Sequence, residues 1–447
     1  MLTGDRRSRS KWGGAIALAG SLLLWASPAQ AQAPSAGSTA VTGTTDWDQW
    51  KRNCTLFDDF AKKFIPCATS TFTSLPFHFL VQSIVPGSGV GGGGRYHHDF
   101  NWGSGAQNWL QATSVITIRQ FWYAEVKFIS QHAIVAPWNP SQKALDLNFY
   151  VRNRSLPMMT FYGIGPNTNV TTPVEFSQRD TSAGMEVTTP FPEAPWLSAG
   201  GTVEGLWPDM GGVTGTNIVS IQQKYTEQTA PGLATQPPFV HEQIFLNPDA
   251  SFFAGHFEIK YNVAYNFYED VSTGHYSFRR LEAKAEHDFY PERRKHGGVI
   301  RQNYFSVLWR YAVSDASAGD AVPFYLQETI GGSDIDNQSY LPAFKDYRFR
   351  GPDLMTVQVQ YNRKVCDLCD PCKKGLIRTV CSHLGVMAGY DAGKVALRES
   401  DLDFSDMRQS YEGGFSVILG KDVIFRVAVA FGGGEGTHPY FNVGNFL

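Results

Sequence analysis

The residues best suited to chemistry are four cysteines, Cys366, Cys369, Cys372 and Cys381, in a C-x2-C-x2-C-x8-C run. Thiolates so spaced can close disulfides or hold zinc. An iron–sulfur cluster fits less well, because the last spacing departs from the ferredoxin pattern. Cys54 and Cys67 lie far upstream. The choice among these chemistries turns on compartment, since disulfides persist only where the surroundings are oxidising. The elements that carry the cysteines therefore have to be placed first.

The chain opens with an export signal. Arg6, Arg7, Arg9 and Lys11 precede the apolar run AIALAGSLLLWA, and SPAQAQA follows. A basic start, a short apolar core and an Ala-x-Ala end are what signal peptidase reads, with cleavage expected after Ala31. The run falls short of the roughly 20 residues that span a bilayer as a helix. Net charge is −3, and the leader carries four of the cations, so the mature chain is mildly acidic and no nucleic-acid partner is expected. Residues 32–45 are small, polar and rich in Thr and Ser, a composition that predicts a disordered linker.

No later segment reads as a spanning helix; apolar residues instead recur at every second position. In 257–268, Phe257, Ile259, Tyr261, Val263, Tyr265 and Phe267 share one face, and Glu258, Lys260, Asn262 and Asn266 the other. Twelve residues at about 3.3 Å each give a strand of about 40 Å, whereas soluble strands are typically about five or six residues long. The same alternation sets Trp122, Ala124, Val126 and Phe128 against Glu125 and Lys127. It sets Leu281, Ala283, Ala285 and Phe289 against Arg280, Glu282, Lys284, Glu286 and Asp288. In a soluble sandwich the charged face is the outside; in an outer-membrane barrel it is the lumen, and the apolar face meets lipid. Strand length and aromatic content favour the barrel.

Sixteen strands are predicted, starting near 88, 107, 121, 143, 170, 183, 197, 238, 256, 277, 300, 353, 384, 409, 422 and 438, so the barrel is expected over 85–447. An even count returns both ends of the chain to the periplasm. Taking odd strands as outgoing puts the connections 211–237, 315–351 and 393–408 outside and the turn at Arg119–Gln120 inside, the bacterial pattern of short inner turns and long outer loops. The 366–381 run then lies in a periplasmic turn. Cys54 and Cys67 precede the first strand on that same side, so disulfides are the leading expectation for all six cysteines, with zinc as the alternative.

Residues 46–84 are expected to supply a periplasmic helix and lead-in. Trp47, Trp50, Cys54, Phe57, Phe60 and Phe64 recur at helical spacing, with Asp46 as cap and Pro66 as stop. The aromatic stripe either docks on the barrel or faces a partner or the membrane. Cys54 and Cys67 are thirteen residues apart, roughly 17–20 Å along a helix. A disulfide needs Cα atoms within about 7 Å, so a real helix would forbid their pairing and leave at least one to staple it to the 366–381 turn.

The stretches AVPFYLQETIGGSD (321–334), LPAFKDYRFRG (341–351), QVQYNRKV (358–365) and GYDAGKV (389–395) resemble, in that order, the barrel of the bacterial surface antigen family. SFRRLEAKAEHDF and the C-terminal RVAVAFGGGEGTHPYFNVGNFL are similar too. This is the superfamily of barrel-assembly proteins and two-partner secretion transporters. The resemblance covers roughly 85–447 and implies a sixteen-stranded barrel whose sixth outer loop folds into the lumen. In the family an Arg-Gly-Phe loop tip places its Arg against a Glu on the twelfth strand and an Asp on the thirteenth. Here the matching tip is Leu341-Pro342-Ala343-Phe344 and the matching strand residue is Gln360, while Asp391 remains. Arg348 and Arg350 are the nearest candidates to satisfy Asp391, so a rewired loop lock is expected from Phe344, Arg348, Arg350, Gln360 and Asp391; the alternative is an open vestibule with hydrated arginines. The stretch between the leader and the first strand is too short for the periplasmic client-handling modules of the family.

Catalytic patterns are missing: there is no Gly-x-Ser-x-Gly, His-Glu-x-x-His or phosphate loop. His97 and His98 point to opposite faces of a strand and make poor joint ligands. The inward charges, among them Glu125, Lys127, Arg280, Glu282, Lys284 and Glu286, could hold a hydrolase pair but read more simply as lumen electrostatics. The expectation is a multi-pass protein of the bacterial outer membrane, not an enzyme, with no cofactor and no metal site. Its surroundings are outer-membrane lipid, and a periplasmic partner protein is a further candidate. It either assists insertion or transport of protein or lipid, or is a passive diffusion channel or structural barrel.

Overall fold

Period-two patterning is realised as one antiparallel meander of sixteen strands, each paired with the next in sequence. The computed structural model describes residues 77–85, 87–100, 107–136, 139–191, 193–215, 218–291, 303–332, 340–364, 384–419 and 422–443. The leader, the linker, the expected helix and all six cysteines lie outside the described residues. The first eight strands are β1 (Phe77–Gln82), β2 (Gly91–Phe100), β3 (Gln107–Thr117), β4 (Trp122–Ala136), β5 (Asn139–Phe161), β6 (Val174–Phe191), β7 (Ala194–Gly212) and β8 (Phe239–Phe252). Then come β9 (Phe257–Asp270), β10 (Phe278–Phe289) and β11 (Asn303–Ala316). After the long loop the sheet resumes with β14 (Asp353–Lys364), β15 (Leu384–Ala396), β16 (Arg408–Leu419), β17 (Asp422–Phe431) and β18 (His438–Val443). Inside the loop, β12 (Glu328–Ile330) and β13 (Phe349–Gly351) pair with each other.

The burial pattern is inside-out for a soluble protein. Ile244 is 61% exposed, while Arg280 is 5% exposed. Ile116, Val151, Phe415 and Val427 face outward in the same way, and Glu125, Glu204, His241 and Asp391 are buried inward. An apolar outer belt around a polar interior is the surface a lipid-facing barrel requires. Among the described residues no helix is long and apolar enough to cross a membrane. The sheet is strongly curled. The loop between β5 and β6 and the start of β16 stand eight strands apart in sheet order, about 38 Å if flat at about 4.8 Å per strand. Yet Arg408 Nη2 donates to Asn167 Oδ1 at 3.0 Å. Among the described residues the edge strands β1 and β18 form no ladder with each other.

The expected count of sixteen is met by two compensating differences. The sheet begins at Phe77, ahead of the expected boundary at 85, with the short strand β1 that the pattern did not reveal. The two strands expected near 170 and 183 are one, β6. Its polar middle reads as a turn in sequence but is inward-facing wall, where Arg154 Nε donates to Asp180 Oδ2 at 2.7 Å and Arg152 Nε to Ser182 Oγ at 3.3 Å. Directions from β7 onward are unchanged, but those before it invert. The turn at Arg119–Gln120 therefore lies at the same end as the long loops, not at the inner end. Phe121 beside it packs in one cluster with Phe324 and Tyr325 of the β11–β14 loop.

Two apolar clusters fill the mouth at that outer end. One gathers Phe161, Phe176, Met210, Phe239, Tyr276, Phe324, Tyr325 and Tyr347 among others. The other joins Ala312, Leu354 and Val395 of the wall to Ile330, Tyr340, Leu341, Phe344 and Phe349 of the loop. Close approach of the loop needs glycine on the facing elements: a Cβ at Gly433 would stand 2.7 Å from Phe344 Cε2 and 2.9 Å from the Ala343 carbonyl oxygen.

Candidate functional site

The β11–β14 loop folds back into the barrel mouth, and a buried carboxylate holds it there. Glu328, the first residue of β12, is 6% exposed. Its Oε1 lies 3.0 Å from Arg280 Nη1, and its Oε2 lies 2.6 Å from Arg310 Nη2. Arg280 projects inward from β10 and Arg310 from β11, and β12 brings Glu328 between them. Arg280 is further fixed: Nε donates to Ser314 Oγ at 2.9 Å and Nη2 to the Leu326 carbonyl at 2.6 Å. Its guanidinium stacks over Phe278, and Arg310 stacks over Tyr340. Charged hydrogen bonds to both carboxylate oxygens satisfy the acid, and the rings and carbonyl satisfy the cations. This is an ion lock with the acid on the loop and the cations on the wall.

Of the expected lock residues, Phe344, Arg348 and Arg350 lie in the loop at the mouth, while Gln360 and Asp391 lie further down the wall on β14 and β15. Arg348 does not meet Asp391. It donates from Nε to Glu435 in the β17–β18 turn, from Nη1 to Thr168 Oγ1 and from Nη2 to the Thr168 carbonyl at 2.6 Å. It thus ties three outer loops together. Arg350 donates from Nη1 to the Phe324 carbonyl and lies over the Phe161 and Phe324 rings. Its own carbonyl accepts from the Gly165 amide at 2.6 Å. Burial pulls the Arg350 guanidinium down to about 10, partly offset by Tyr347 and Glu328, so it remains charged at any physiological pH. Burial, and then the charge of Glu435, push the Tyr162 phenol up to about 12 beside Arg348.

Asp391 on β15 is instead a wall residue among wall residues, accepting from Gln358 Nε2 at 2.9 Å. Gln360 faces Arg426 of β17; with its amide oxygen toward that guanidinium it accepts from Nη1 and Nη2 at 3.2 and 3.3 Å. Phe344 is a packing residue, 5.2 Å from the Phe349 ring, and the preceding Ala343 amide donates to Ser410 Oγ at 2.9 Å. The ion cluster at the base of the loop is instead Glu328 with Arg280 and Arg310, none of them among the expected lock residues. Sequence offered a signal for it: Glu328 stands in the loop stretch that carries the resemblance, and Arg280 lies on an inward face.

Below the mouth the inward face is a ladder of paired charges. Lys127 meets Glu125 at 2.9 Å, and Lys260 meets Glu286 at 3.2 Å and Asp288 at 3.5 Å. Glu204 is shared by His241 Nδ1 at 2.8 Å and by Tyr150 Oη at 2.7 Å. The inward-facing charges and the exposed apolar belt define a transmembrane β-barrel with an inward-folded outer loop.

Solved structures with this fold include BamA from Haemophilus ducreyi lacking POTRA domains 1–3. It superimposes with a TM-score of 0.56 at 11% identity, over 83% of this chain and 69% of that one. CdiB from Escherichia coli gives 0.51 at 9% identity, over 83% of this chain and 62% of that one. At such identities the likeness is one of fold. No family model matches the chain, and no curated protein matches it in sequence.

Proposed function

We propose that this chain is an integral protein of the bacterial outer membrane, related to the bacterial surface antigen barrels, that assists insertion or transport of protein or lipid there. The observation that carries this reading is the inward-folded β11–β14 loop, held by Glu328. A diffusion pore needs a continuous aqueous path, whereas here two apolar clusters and the Glu328 lock occupy the outer opening. In this reading the edge strands β1 and β18 would border a second route toward lipid. The likeness of the barrel to those of BamA and CdiB agrees with this reading. A periplasmic partner protein fits the same role.

Planar-bilayer recording of the refolded mature protein tests it. Small or flickering conductance is expected. Steady, large conductance would sink the assembly-type reading and leave the diffusion channel. A companion assay measures how fast a small outer-membrane barrel inserts into vesicles with and without this protein, and acceleration is expected.

A further inference from the structure

The β15–β16 loop packs differently from the inward-folded β11–β14 loop. The β15–β16 connection, residues 397–407, turns the other way and lies against the outside wall. Three contacts place it there. Lys394 points outward, between the inward Gly393 and Val395, and its Nζ donates to Asp403 Oδ1 at 2.8 Å and to the Ser405 carbonyl at 3.2 Å. The Glu399 carboxylate faces the outward Tyr311 hydroxyl on β11. The Phe404 ring meets the outward Trp309 ring edge-on, with centroids 6.5 Å apart.

Register shows what the loop covers. Tyr311, Met355 and Lys394 form one rung across β11, β14 and β15, and Trp309, Val357 and Ala392 form the rung two residues further from the rim. Met355 faces the lipid side, yet it is only 8% exposed. Phe404, which meets Trp309 only edge-on, is 70% exposed. A large apolar ring is thus held outward, about 7 Å below the Tyr311 rung at about 3.3 Å per residue. It is continuous with the exposed apolar belt of the barrel wall.

Resting on the reading of this chain as a membrane barrel, we propose that residues 397–407 form a membrane-seated flap whose Phe404 enters the outer leaflet at the headgroup–acyl boundary, clasped to the wall by Lys394. The partner is the lipid surface itself. Amphipathic seating at that depth, with an apolar ring down and polar groups up, is how aromatic residues anchor proteins at the interface. The acids Glu399, Asp401, Asp403 and Asp406 outnumber the loop's cations, so a zwitterionic lipid is the appropriate probe.

The experiment places p-azidophenylalanine, coupled to an environment-sensitive dye, at position 404 of the full chain, avoiding the native cysteines. Matched probes go at Ile244 in the belt and at Val271, exposed in the β9–β10 turn. The proteins are reconstituted in phosphatidylcholine vesicles with plain or brominated chains. Chain-bromine quenching is expected to be strong at 244, several-fold above the 271 level at 404, and lost at 404 alone in the K394Q variant. Iodide quenching at 404 with no response to brominated chains, while 244 responds, overturns the flap and leaves the barrel standing. Failure at 244 as well overturns the barrel reading and the flap with it. Unchanged quenching at 404 in K394Q removes the clasp from the proposal.

Discussion

Replacing Glu328 with Gln should unlock the mouth, and the geometry sets the size of the effect. Gln keeps the shape but removes the charge that two guanidinium groups share at 3.0 and 2.6 Å. Removing one partner of a buried ion pair typically costs about 3–5 kcal/mol, because the remaining charge stays desolvated and unpaired. Two features argue for the lower end. Arg280 keeps its bonds to Ser314 and to the Leu326 carbonyl, and Glu282 stands 3.9 Å from its Nη1. A loss of about 3 kcal/mol follows, roughly a hundredfold in the unfolding constant at about 1.4 kcal/mol per decade. Urea titration of the refolded barrel, read by loss of its unheated mobility on gels, measures this directly. Bilayer conductance of E328Q should rise in parallel as the loop leaves the mouth. A variant within about 0.5 kcal/mol of the parent, with unchanged conductance, would refute the lock. So would additivity of E328Q with R310M, since partners in one network must couple.

Two further expectations test the rest of the mouth. In double-mutant cycles, Arg348→Ala should couple to Glu435→Gln by about 1–3 kcal/mol and to Asp391→Asn by nearly nothing, because Arg348 bonds the former and not the latter; comparable coupling to Asp391 would restore the family-like pairing. Burial, and then the Glu227 carboxylate that accepts its hydroxyl at 2.6 Å, push Tyr276 in the β9–β10 turn up to about 12. A folded value above the ordinary one near 10 means that its stabilising contribution is complete below about pH 10 and is lost as the pH rises through about 12. The difference in tyrosinate absorbance between the parent and Y276F should therefore appear only near that upper limit.

The fold was legible because a membrane barrel exposes its pattern. Each wall residue faces either lipid or lumen, so alternation in β9, β10 and β14 survives unbroken and reports both strand and facing. Legibility failed where the lumen or the seam relaxed that code. β1 offers only six residues, Phe77–Gln82, with His78 and Gln82 its only strongly polar side chains. The middle of β6 is rich in Asp, Thr, Ser and Gly, a composition that signals a turn in water. Here it is wall, because Arg152 and Arg154 on β5 satisfy its polar groups across the ladder. The two errors cancelled in the count but not in direction, which put the Arg119–Gln120 turn at the wrong end.

The lock was harder to read, for an electrostatic reason. Coulomb attraction is indifferent to which partner sits on the moving element, so a loop without an Arg-Gly tip facing a strand without a Glu does not predict a replacement Arg on the loop. Moving the acid to the loop and the cations to the wall serves equally well. Arg280 pairs in register with Ser314, and Arg310 with Lys284. The two arginines are therefore offset by four residues along neighbouring strands, about 13 Å at about 3.3 Å per residue. Nothing in strand periodicity brings their heads together. They converge because β12 pairs with β13 and sets Glu328 between them, a tertiary placement that the alternating pattern does not encode. The polarity has a mechanical consequence. When the loop leaves, it takes the acid away and leaves two like charges on the wall, with Glu282 at 3.9 Å from Arg280 Nη1 as a weaker partner. Opening the mouth is thus opposed from the wall side as well as the loop side.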